Sequence, residues 1–96
     1  MSGGNWKEMF EGIETNDIGL VEYYLKLGVD PNYQHPEILA SPLVESIRLN
    51  HLEIAKLLLD NKADPNIKDA WGKETPLFIA KKHKNKAAIQ LLKLYL

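Results

Sequence analysis

The chain has 96 residues, enough for one small domain whose fold buries only part of its surface. It is 45% hydrophobic and 26% charged with a net charge of −1, which excludes a disordered chain and a strongly basic nucleic-acid binder. It has no cysteine, so disulfides, thiolate chemistry and Cys-based zinc sites are excluded, and no run approaches the roughly eighteen apolar residues of a membrane-crossing helix.

Met1 to Gly4 are small and polar and read as a frayed terminus, with no signal-peptide core behind them. Trp6, Met9, Phe10 and Ile13 then recur at i, i+3, i+4, i+7, one face of a helix, and Asn5 with Glu8 suggests a capping box at its start. After a break at Asn16-Asp17, Ile18, Val21, Tyr24 and Leu25 repeat the helical spacing. Ser41-Pro42 supplies an N-cap and a proline at the first helical position, where its missing N–H is harmless. That helix is expected over Pro42 to Leu49 and a second over Leu52 to Asn61, with a break at Asn50-His51. Thr75-Pro76 opens the next pair in the same way. The turn-rich stretches "DPNYQHPEILAS" and "DPNIKDAWGKET" between them suit hairpin-like loops.

These elements repeat with a step of 34 residues. Glu11, Ile13, Asn16 and Leu25 fall on Glu45, Ile47, Asn50 and Leu59; Pro42, Leu43, Leu57 and Leu58 fall on Pro76, Leu77, Leu91 and Leu92. The units are about 5–37, 38–71 and a truncated 72–96, forming one domain over 5–96.

The segment "SPLVESIRLNHLEIAKLLLDNKADPN", Ser41 to Asn66, resembles an ankyrin repeat. Ser41-Pro42-Leu43 stands for its Thr-Pro-Leu, His51 for its turn histidine, Glu53-Ile54 with Leu57-Leu58-Leu59 for its second helix, and Ala63-Asp64-Pro65-Asn66 for its close. "ETPLFIA", Glu74 to Ala80, opens another copy. The departures are local: the first unit lacks Thr-Pro-Leu, Asn50 and Lys84 replace the usual glycine, Val44 and Phe78 replace the usual histidine, and the Asp69-to-Thr75 loop is one residue longer than the family norm. The resemblance implies an all-α solenoid of helix-turn-helix repeats with hairpin-like inter-repeat loops.

Charge is split along the chain. Residues 1–64 carry five Lys/Arg against eleven Asp/Glu, and residues 65–96 seven against two, giving −6 and +5. In the third unit Ile13/Ile47 become Lys81, Ile18/Leu52 become Lys86, and Leu25/Leu59 become Lys93. Lysine at positions that would face a following repeat reads as a polar end cap, so the array is expected to be complete at three. Leu94, Tyr95 and Leu96 are expected to fold back over Leu91 and Leu92.

No reaction chemistry is visible. His35, His51 and His83 sit in no metal-ligand motif, and Asp30 and Asp64 recur as turn-formers rather than as a catalytic pair. No catalytic, cofactor or metal residue is expected, and a cytoplasmic protein is.

The resemblance instead nominates a concave binding face. It comprises Glu14, Arg48, Leu49, Lys82 and His83 (with Thr15) on the first helices, and Tyr33, Gln34, Glu37, Ile38, Lys68, Trp71 and Lys73 (with Ala70) on the loops. Glu14, Arg48 and Lys82 form an acid-to-base line that would orient a partner of opposite gradient. Tyr33, Arg48 and Trp71 are of the types that dominate interface hot spots. Their alternatives are Tyr33 packed on a neighbouring loop, Arg48 as a solvated helix end or paired with Glu14, and Trp71 folded onto Ile38 or Leu39. The expected partner is another protein, bound as an adaptor or a dedicated, immunity-type inhibitor. A homo-oligomer joined through Leu92 to Leu96 or the Trp6/Phe10 end is the second reading. A nucleic-acid contact at Lys81 to Lys86 is the third.

Overall fold

The computed structural model describes residues 5–96. The frayed terminus expected over Met1 to Gly4 lies outside them. Six helices follow in order: α1 (Trp6–Glu14), α2 (Ile18–Lys26), α3 (Pro42–Arg48), α4 (Leu52–Asp60), α5 (Pro76–Lys82) and α6 (Lys86–Lys93). Among the described residues there is no strand. The helices are seven to nine residues long. Isolated helices below about 12–15 residues are marginal in water, so packing must hold these.

Each helix pair closes on itself, and α1, α3 and α5 stack in a row with α2 packed on α4 behind it. The middle first helix is covered on both sides: Pro42, Leu43, Val44, Ser46 and Ile47 are all buried in α3. Trp6, Met9, Ile13, Ile54, Leu58, Ile79 and Leu92 extend the core through the stack. Gly12, Ser46 and Ala80, one step of 34 apart, are all buried. A Cβ on Gly12 would stand 3.1 Å from Val21 Cγ2 and 3.3 Å from Leu20 Cδ2, so α1 and α2 approach as closely as they do because that side chain is absent.

The repeat is also written in the backbone. Every positive-φ residue among those described belongs to a step-34 set: Asn16, Asn50 and Lys84 (60°, 62°, 54°), Gly28 and Lys62 (98°, 73°), and Leu39 and Lys73 (64°, 56°). Asn tolerates this left-handed conformation, while Lys and Leu are strained by it. After each first helix the carbonyl of Gly12, Ser46 or Ala80 accepts the N–H of Asp17, His51 or Asn85 at 2.8–2.9 Å. The chain therefore reverses identically three times, whatever residue stands at the turn.

The expected caps hold at Ser41 and Thr75, whose hydroxyls accept from Val44 and Phe78 N–H. Asp17 and Asn85 cap α2 and α6 in the same manner. The capping box at Asn5 and Glu8 is a correction. Asn5 has helical backbone angles and makes no side-chain cap bond; its carbonyl accepts from Met9 N–H instead. A capping side chain reaches the third N–H only from an extended backbone, and Asn5 is already wound into the helix.

Candidate protein-binding face

The two long loops are fastened to each other by side-chain amides. Asn32 Nδ2 donates to Lys62 O (3.2 Å) and its Oδ1 accepts from Asp64 N–H (2.8 Å). Gln34 Nε2 donates to Lys68 O (3.1 Å) and its Oε1 accepts from Ala70 N–H (2.6 Å). Asp30 and Asp64 each accept the N–H two residues on, which makes them the turn-formers expected. His51 Nδ1 lies 2.8 Å from Ile13 O, joining the first two repeats, and Asn85 Nδ2 donates to Asn50 Oδ1 across the next two. A row of inter-repeat bonds thus holds the loop tips in register with the first helices.

Tyr33 and Gln34, nominated as contact residues, are occupied inside the chain. Tyr33 is half-buried and meets the edge of Trp6 at a centroid distance of 5.8 Å. Gln34 spends both ends of its amide on the next loop. Glu37 is exposed and pairs with Lys7 at 3.7 Å. Lys68, Lys73, Lys82 and His83 are exposed, as is Glu14, which has no ion pair within the described residues. Leu49 and Ile38 are just exposed, at 38% and 37%.

Arg48 does not pair with Glu14. Its guanidinium binds the Glu45 carboxylate on its own helix and reaches 3.2 Å to Asp69 Oδ2. The acid-to-base line therefore runs from Glu14 through a neutralised Arg48 to Lys82. Asp69 is wholly buried, and its other oxygen accepts Trp71 N–H at 2.9 Å. The same N–H also reaches Leu39 O at 2.9 Å, and Asp69 N–H donates to Glu74 O at 2.8 Å. One step earlier, His35 Nδ1 accepts Glu37 N–H at 3.1 Å, so His35 does for the first loop what Asp69 does for the second.

These bonds fix the backbone of Trp71 and leave its side chain outside. The residue is 70% exposed, so it does not fold down onto Ile38 or Leu39. It lines a shallow groove of about 190 Å³ with Phe10, Glu14, Ile38, Ala40, Glu45 and Arg48. Sequence reasoning missed Asp69, Glu45, Phe10 and Ala40. The one available signal was the equivalence of Asp69 with His35, two side-chain acceptors one step apart.

The other surfaces carry less. Trp6 and Phe10 are 0% and 4% exposed, their rings stacked at 4.7 Å, so the aromatic end offered for a homo-oligomer is closed by its own chain. Tyr95 is half-buried and reaches the end of α4 rather than Leu91 and Leu92: its hydroxyl donates to Asp60 Oδ1 at 2.5 Å, beside Lys56 Nζ on Oδ2 at 2.8 Å. Leu94 and Leu96 remain 77% and 54% exposed and do not fold back as expected. Lys81, Lys86 and Lys93 are exposed, whereas Ile13 and Ile47 at the first of these positions are buried.

A row of first helices edged by hydrogen-bonded loop tips, with an exposed indole above a groove, defines a helical-repeat scaffold. The family model described as "Ankyrin repeats (3 copies)" matches residues 10–95, and the chain belongs to the ankyrin-repeat family. It is 37% identical over 83 residues to an ankyrin repeat protein of Acanthamoeba polyphaga mimivirus, covering 84% of this chain and 14% of that protein. It is 33% identical over 72 residues to a palmitoyltransferase of Lachancea kluyveri, covering 75% and 9%. It is 37% identical over 60 residues to an ankyrin repeat protein of Fowlpox virus, covering 62% and 8%. The chain thus spans about a tenth of the length of these relatives. Ankyrin repeats are generally protein–protein interaction modules. No helix among the described residues is long and apolar enough to cross a membrane.

Proposed function

We propose that this chain is a protein-binding module without catalytic activity of its own, and that it grips one folded partner through its concave face. The observation that carries this reading is Trp71. A large apolar ring stands 70% exposed on a backbone whose N–H donates to Leu39 O and to the buried Asp69 carboxylate. Exposing Trp costs solvation free energy, and the equivalent residue of the preceding loop is Glu37, so stacking does not demand an aromatic there. Trp is enriched among the few residues that dominate interfaces, and a rigidly mounted one loses little freedom on binding.

The contact would involve Glu14, Ile38, Arg48, Leu49, Lys68, Trp71, Lys73, Lys82 and His83, with Glu37 at the edge. Tyr33 and Gln34 would support the loops rather than meet the partner. A standard interface of this kind buries about 600–800 Å² on this side. Exposed acid at Glu14 and base at Lys82 would orient the partner along the row. An inhibitor of a single target fits a rigid face better than a scaffold with many clients. Affinity capture from the native organism, repeated with Trp71→Ala, tests this. A single stoichiometric partner lost by the variant is the expected result. Many weak partners equally retained by the variant would refute it.

A further inference from the structure

The groove under Trp71 has properties that select its occupant. At about 190 Å³ it is smaller than the roughly 300–1,000 Å³ that encloses a drug-sized ligand, and has room for one side chain. Its walls include Ile38, Ala40 and the exposed Trp71, and an indole face attracts cations. Its charge is negative. Glu14 has no ion pair within the described residues, and Arg48 is outnumbered by Glu45 and the buried Asp69. One step of 34 along, the position of Glu14 becomes Arg48 and then Lys82, so no other place on the row repeats this acid.

We infer that the groove takes the cationic end of an arginine or lysine side chain from an exposed segment of the partner protein. The stem lies along Ile38 and Ala40, the charged head meets the Trp71 ring, and the Glu14 carboxylate accepts its N–H bonds. A neutral or aliphatic side chain in the same place would desolvate Glu14 and leave it unpaired, which is unfavourable. This inference rests on the concave-face reading and names the chemistry of its first contact.

The test uses the ¹⁵N-labelled chain and three peptides: acetyl-Gly-Arg-Gly-amide and its counterparts with citrulline or norleucine in place of arginine. The two indole N–H signals are separate reporters, one buried at Trp6 and one exposed at Trp71. The arginine peptide should move the Trp71 signal saturably and leave the Trp6 signal in place. The citrulline and norleucine peptides should bind about tenfold more weakly, and Glu14→Gln should reduce the arginine peptide to the citrulline level. Equal binding of the three peptides, or shifts confined to residues outside the groove, would overturn the inference. A captured protein partner separates the two readings. If its binding falls with Trp71→Ala but is indifferent to Glu14→Gln, the cation pocket is wrong and the binding face stands. If it is indifferent to both, the face itself is wrong, while the peptide titration still decides the pocket.

Discussion

Replacing Asp69 or Arg48 should reveal how the mount of Trp71 is built. Asp69 is wholly buried and holds two partners, Arg48 Nη2 at 3.2 Å and Trp71 N–H at 2.9 Å. Hydrogen bonds to a charged group contribute about 1.5–3 kcal/mol each. Trp71 N–H keeps its bond to Leu39 O after truncation, so the loss is smaller than two full bonds. Asp69→Ala should therefore destabilise the fold by about 2–4 kcal/mol. Arg48→Ala leaves a buried carboxylate facing one N–H, a change that costs about 3–5 kcal/mol in a fully buried pair. The Arg48 side chain is 27% exposed, so the lower end applies. In a double-mutant cycle the coupling should be about 1–2 kcal/mol, above the 0.2–1 kcal/mol of surface pairs. Urea denaturation followed by far-UV circular dichroism measures all four variants. A coupling indistinguishable from zero would show that Arg48 does not hold the loop.

Other outcomes follow from the backbone and the charges. Lys62→Gly places glycine at a φ of 73°, where the equivalent residue is already Gly28 at 98°; it should raise stability by about 0.5–1 kcal/mol, seen as a higher urea midpoint. No change or a loss would mean that Lys62 is not strained. Gly12→Val inserts bulk 3.1 Å from Val21 Cγ2 and should cost about 1–3 kcal/mol by the same assay; a neutral result would show that α1 and α2 are free to separate. The Lys56 and Tyr95 hydrogen bonds hold the Asp60 carboxyl below its ordinary 3.8, and the bonds to Asp60 hold Lys56 above 10.5 and Tyr95 above 10.0. The first contribution is present above pH 3.8 and lost as pH falls through the lower folded value. The other two are present below about pH 10 and lost as pH rises through their folded values. Tyr95→Phe should thus flatten the alkaline decline of the urea midpoint, and an unchanged profile would remove Tyr95 from the cluster.

The helices were legible because their information is local. The apolar spacing, Ser41-Pro42 and Thr75-Pro76 each act within a turn of the chain, and the step of 34 marks every element more than once. Helix ends fell within a residue of expectation, and Leu49 and Asn61 prove to be C-caps rather than last turns. The face was half legible. Glu14, Arg48 and Trp71, nominated by repeat position, line one groove, because position follows from the fold, and Lys82 is exposed. Which of them is free to act does not. Arg48 meets Asp69 across 21 residues of sequence, a contact that exists only after the second loop closes. Tyr33 and Gln34 looked like contacts because loop tips are usually exposed, but each found a partner in a neighbouring element. Trp71 was the reverse case: it is left 70% exposed.

The binding face is tested most directly by comparing dissociation constants for a captured partner across three single variants, measured by isothermal calorimetry. Trp71→Ala and Lys82→Ala lie on the proposed face, whereas Tyr23→Ala removes an exposed ring from α2, in the second row of helices. The prediction is a loss of tenfold or more for Trp71→Ala, about 2 kcal/mol being usual for such an anchor. Lys82→Ala should give a smaller, salt-dependent loss, and Tyr23→Ala no change. A partner that ignores Trp71→Ala and is lost on Tyr23→Ala would contradict the account.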